Sequence, residues 1–129
     1  MLRILSVIML STLVALSGSA QDQKKVEKIK LTGYVVDAMC AKGMAKKENP
    51  MEKASMHTKQ CAMEEACAAS GFGVFSDGKY HKFDKKGDEL ALALIKESKT
   101  EKGMMVEVEG MQKDDMLAVV SIKEHMQKK

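Results

Sequence analysis

The chain of 129 residues has no tryptophan, one proline (Pro50) and five aromatic residues: Tyr34, Phe72, Phe75, Tyr80 and Phe83. With only 9 glycines beside that proline it cannot be a collagen-like or structureless polymer. Its basic residues are not gathered into a block. The 21 Lys and Arg are interspersed with 18 Asp and Glu, leaving a net charge of +3. Nucleic-acid binding, which needs clustered cations to neutralise successive phosphates, is therefore not expected. Also missing are a C-x-x-C redox motif, a C-x-x-C-H haem attachment sequence, a glycine-rich phosphate loop and a paired-carboxylate pattern. No recognisable catalytic constellation is left beyond His57 and Cys61, one helical turn apart, which could form a thiolate/imidazolium pair.

Residues 1–20 differ in kind from the rest. Arg3 is their only charge, an apolar run extends from Ile4 to Leu16, and Gly18, Ser19 and Ala20 precede Gln21. This is the pattern of a secretory signal peptide cleaved after Ala20. The run is shorter than the roughly 20 residues that span a bilayer, so no membrane span is expected after cleavage. No cysteine follows it to take a lipid. The mature protein is thus expected to be exported, periplasmic or extracellular, with its partner in the envelope or outside the cell.

A polar lead-in occupies 21–28, and a single globular domain is expected over 29–124, followed by a tail at 125–129. Ile29, Leu31, Gly33 and Val35 alternate with Lys30, Thr32, Tyr34 and Val36, the period of a half-buried strand. Residues 38–54 lose this period and read as a long irregular insertion that opens with a helical turn. Residues 55–70, rich in Ala, Met, Glu and Lys, read as one helix closed by Gly71. Phe72–Phe75 and Lys79–Phe83 flank Asp77-Gly78, a hairpin turn signal. A second helix is expected over 88–98, a strand at 104–109, a turn at 110–115 and a last strand at 116–122. The expected core is Leu31, Val35, Leu90, Leu94, Val106, Val108 and Ile122. His81 and His125 are expected to face solvent.

Strand, helical insertion, hairpin, helix and two strands is the order of a small five-stranded OB-like barrel of the oligonucleotide/oligosaccharide-binding type, mainly β with helices. The alternative is an α+β arrangement with helices on one face of the sheet.

The chemistry concentrates in the insertion at 38–70. It holds Cys40, Cys61 and Cys67, the only cysteines, together with His57. Three thiols and an imidazole make a tetrahedral set for zinc, and soft thiolates also suit Cu(I). On one helix His57 and Cys61 would share a face. Cys67 lies six positions past Cys61, about 600° on, so it would point away unless the helix breaks near Glu64 to Ala66; a three-ligand site of Cys40, His57 and Cys61, expected to lie together, needs no break. Asp37 could orient His57, or could cap the next turn. Ten of the twelve methionines follow the leader, and Met39, Met44, Met51, Met56 and Met63 interleave with this cluster. They could be soft ligands to copper or simply adaptable packing.

The competing reading is a disulfide, since an exported protein meets an oxidant and a small core gains from a cross-link. Cys61 to Cys67 is disfavoured within a helix, leaving Cys40 to Cys61 or Cys40 to Cys67, with one thiol over.

The stretches Gly33-Tyr34-Val35-Val36-Asp37-Ala38-Met39-Cys40, His57-Thr58-Lys59-Gln60-Cys61, Cys67-Ala68-Ala69-Ser70-Gly71 and Lys79-Tyr80-His81-Lys82-Phe83-Asp84 resemble those of a family of small exported bacterial proteins of uncharacterised function. The resemblance covers nearly all of the chain after the leader. It implies export and carries no activity across.

Overall fold

The computed structural model describes residues 26–126; the leader, most of the lead-in and the last three residues lie outside them. Five strands and five helices follow one another as β1 (Lys28–Asp37), α1 (Ala38–Met44), α2 (Pro50–Ser55), α3 (Lys59–Met63), α4 (Glu65–Ala69), β2 (Phe72–Ser76), β3 (Lys79–Phe83), α5 (Lys85–Glu97), β4 (Met105–Lys113) and β5 (Met116–Glu124). The sheet closes into a ring in the order β1-β2-β3-β5-β4, a closed barrel.

Closure depends on β1 serving two neighbours. Lys28 to Tyr34 pair with β4, and Tyr34 to Asp37 pair with β2. The seam at the far side is a short parallel contact, Lys82 with Met116 and Phe83 with Leu117. The β2/β3 hairpin turns at Asp77-Gly78, both at positive φ (50° and 79°), as a two-residue turn matched to strand twist requires. The expected turn at 110–115 is much shorter. Gly110 to Lys113 continue β4 past a bulge at Glu109/Gly110, and only Asp114 and Asp115 connect the two strands. The bulge lets a broken alternation stay in one strand.

Inside the ring, Val35, Phe72, Val74, Phe83, Val106, Val108, Leu117 and Val119 form the core together with Ala91 and Ile95 of α5. Of the expected core, Val35, Val106 and Val108 are buried. Leu31, Leu90, Leu94 and Ile122 are half-buried, packed against the cluster from its edge. Helix α5 starts earlier than expected because Asp84 caps it, accepting from the Gly87 amide at 2.9 Å. That start places Gly87, Ala91 and Ile95, four apart, on the buried stripe, with Leu90 and Leu94 flanking it. His81 is half-buried rather than solvent-facing, whereas His125 is exposed.

The insertion departs most from expectation. Residues 38–54, expected to be irregular after an opening helical turn, carry α1 at that opening and α2 beyond it. Residues 55–70, expected to be one helix, contain the end of α2 and two helices of five residues each. The break is at Glu64, whose extended backbone (φ −59°, ψ 139°) separates α3 from α4. The expected glycine stop survives: Gly71, at φ +83°, follows Ser70 at the end of α4. Among the described residues no helix is long and apolar enough to cross a membrane.

Candidate metal centre

The three cysteines share one local position. Cys40, Cys61 and Cys67 are each the third residue of a short helix, α1, α3 and α4 respectively. In the first two the residue before the helix fixes that position by a side-chain cap. Asp37 Oδ1 accepts from the Cys40 amide at 2.8 Å, and Thr58 Oγ1 accepts from the Cys61 amide at 3.1 Å. The repeat is visible in the sequence as Asp37-x-x-Cys40 and Thr58-x-x-Cys61. It is masked there because helices of five to seven residues show no hydrophobic period.

The sulfurs converge. Cys40 Sγ and Cys61 Sγ lie 3.7 Å apart, and with Cys67 Sγ and a carboxylate oxygen of Asp37 they form a group of four ligand atoms all within 4.8 Å of one another. Cys67 joins this group, against the expectation that it would point away, because the helix breaks at Glu64 where a fourth ligand requires it to break. The cysteines are free thiols, so the disulfide reading is not realised in this structure. At 3.7 Å the Cys40 and Cys61 sulfurs are well outside the roughly 2.05 Å of a disulfide bond.

His57 does not share a helix face with Cys61. It precedes Thr58, the cap of α3, and its amide donates to Ala54 O at the end of α2. Its ring turns inward, and Nε2 sits 2.9 Å from Asp37 Oδ2. An ionised carboxylate only accepts, so Nε2 is the protonated nitrogen and donates. The Asp37 carboxylate is fully buried, and both its oxygens are engaged, one by the Cys40 amide and one by His57. Orienting His57 is thus one of two jobs Asp37 does, the other being the cap. Both were open alternatives in the sequence. His57 is outside the group of four ligand atoms, one hydrogen bond removed from it.

Electrostatics in the group are opposed. Burial alone raises the Asp37 pKa, but the hydrogen bonds from His57 and from the Cys40 amide outweigh it, so this carboxyl ionises below its usual range. The Cys40 thiol is pushed far up, first by burial, then by its contact with Cys61 and the charge on Asp37. Cys67 is raised for the same leading reason, burial, with the Asp37 charge next. His57 Nε2 is already committed to Asp37, so the arrangement does not favour a thiolate/imidazolium pair of His57 with Cys61. It is suited to a cation, which displaces the thiol protons and is attracted by the same carboxylate.

The interleaved methionines divide. Met44 and Met51 pack with Cys40 on a small cluster of Val36, Ala41, Ala54 and Phe75, Met63 packs on the barrel core, and Met39 and Met56 are exposed. Comparison of the chain with protein-family models, with curated proteins and with solved structures returned no match.

Proposed function

We propose that this protein is an exported binding module that takes up one soft transition-metal ion, Zn²⁺ or Cu⁺, through Cys40, Cys61 and Cys67. The carrying observation is the sulfur geometry. Two thiolates at about 2.3 Å from one tetrahedral ion lie about 3.8 Å apart, and the Cys40 and Cys61 sulfurs are 3.7 Å apart. Asp37 stands beside the three sulfurs and offers a carboxylate oxygen for a fourth position, held by His57 much as hydrogen-bonded partners hold ligating groups in metal sites. In this reading His57 acts through Asp37. As a direct ligand, the role the spacing gave it, its Nε2 would have to release the carboxylate.

The barrel is read as OB-like. The shared strand β1, the helix between β3 and β4 and the parallel β3/β5 seam support this. A likeness of fold does not bring nucleic-acid binding with it. The five aromatic residues are all buried or half-buried, so they offer no exposed stacking platform.

Anaerobic titration of the reduced protein with Zn²⁺ and, separately, with Cu⁺ against a competing chelator tests the reading. Uptake of about one ion per chain is expected, abolished in Cys61→Ser and weakened but retained in His57→Ala. Absence of stoichiometric uptake of either ion rejects it. Loss of all uptake in His57→Ala would instead make the imidazole a ligand.

A further inference from the structure

The three thiols that converge on one point are not equivalent to an oxidant. Cys40 and Cys61 are the pair in contact at 3.7 Å and both are half-buried, whereas Cys67 is buried with only 5% of its surface exposed. Closing 3.7 Å to a bond of about 2.05 Å requires the two sulfurs to approach by under 2 Å. Helices α1 and α3 are short, seven and five residues, and the side chains they bury fully are small, Ala38 and Ala41 from α1 and Ala62 from α3, with Met44 and Met63 packed at the edges of the clusters they touch. Cys67 lies deeper, on α4, where Ser70 Oγ donates to its carbonyl oxygen at 2.6 Å.

We infer that Cys40 and Cys61 are a site of reversible oxidation to a disulfide, with Cys67 left as a thiol, and that bridge and metal ion exclude each other. The exclusion rests on the metal reading above; the choice of pair does not. The oxidant is a low-molecular-weight disulfide. The thiolate of one cysteine of the pair attacks one of its sulfurs, breaking that S–S bond and releasing the first small thiolate. The thiolate of the other cysteine then attacks the protein sulfur of the mixed disulfide and releases the second. Two protein thiols lose two electrons and two protons, and one small disulfide becomes two small thiols. The bridge removes two of the three sulfur ligands at once, so oxidation discharges the ion, and a bound ion, by occupying both sulfurs, shields them from attack. The site then releases metal under oxidising conditions and reloads on reduction.

The test uses the reduced protein, metal-free and metal-loaded, exposed to oxidised glutathione, with the bridge located by peptide mass mapping and thiols counted under denaturing conditions. Expected are a Cys40–Cys61 bridge, one remaining thiol at Cys67, loss of metal uptake, recovery of uptake on reduction, and slower oxidation of the loaded protein. Cys67→Ser should still form the bridge, which guards against a role for Cys67 as intermediate. A bridge that includes Cys67, or no intramolecular bridge at all, overturns the inference, and equal oxidation of loaded and metal-free protein overturns the exclusion. A Cys40–Cys61 bridge in a protein that takes up no metal when reduced leaves the pair assignment standing and defeats the metal reading alone.

Discussion

Around the barrel interior the buried side chains are large: Phe72, Val74, Phe83, Ile95, Val106, Val108, Leu117 and Val119. In the segment 38–71 that joins β1 to β2 the buried residues are Ala38, Ala41, Ala54, His57, Ala62, Cys67 and Gly71. An alanine buries little more than one methyl, so this segment gains only a fraction of the apolar burial that holds the barrel. Its helices, five to seven residues each, are also well below the length at which a helix persists by itself in water. Beside the packing of Met44, Met51 and Met63 at cluster edges, its order draws on specific contacts: the Asp37 and Thr58 caps and the Asp37–His57 pair. Hydrophobic burial holds the barrel, whereas polar contacts carry a larger share of the segment.

The largest expected effect lies on the barrel side. Phe83→Ala empties a fully buried position at the β3/β5 seam and should cost about 3 to 5 kcal/mol of global stability. Denaturant unfolding checks it, and a loss near zero would mean the seam is not closed. Asp37→Ala is next. It leaves His57 buried without its partner and removes the cap of α1, so a loss of about 3 kcal/mol is expected, together with weaker metal uptake. An unchanged metal affinity in this variant would separate Asp37 from the site.

Thr58→Ala removes only the cap of α3, a cost of about 1 kcal/mol. Hydrogen exchange should quicken in 59–63 and stay unchanged in the strands; a uniform change would contradict the division drawn here. The smallest effect concerns His81. Burial, and then the charge on Lys79, lower its pKa below the ordinary 6.5, although a hydrogen bond with Gln112 works the other way. The unfolded chain then takes up the proton first. The contribution is fully present above 6.5 and is lost as pH falls below it through the lowered value. His81→Gln should flatten that slope in acid unfolding curves while leaving stability above it nearly unchanged.

The same contrast explains what could be read from the residues alone. Strands β1, β2 and β3 were legible because alternation and an Asp-Gly turn are local signals, and the element order was enough to anticipate a closed sheet. The continuation of β4 through Gly110 to Lys113 was hidden because a bulge interrupts the alternation. The apolar face of α5, Leu90, Ala91, Leu94 and Ile95, was legible from its helical spacing, but not that the Asp84 cap sets the phase so that Ala91 and Ile95 are buried while Leu90 and Leu94 pack at the edge of the core. In the segment 38–71 the site residues could be named, and even the need for a break near Glu64 could be stated, but not that Cys67 rather than His57 would stand with Cys40 and Cys61. His57 is four residues from Cys61 in sequence and would have shared its face on a continuous helix. The helix starts at Lys59, so His57 falls outside it and turns to Asp37 instead.

In the proposed reading an ion on the three sulfurs tightens the segment, whereas burial alone holds the barrel. Hydrogen exchange measured by mass spectrometry on the reduced protein, metal-free and then loaded with one equivalent of Zn²⁺, tests it most directly. Protection is predicted to rise through 38–71 on loading while the exchange of β4 and β5 stays as it was; protection in 38–71 that does not respond to the metal would contradict the account.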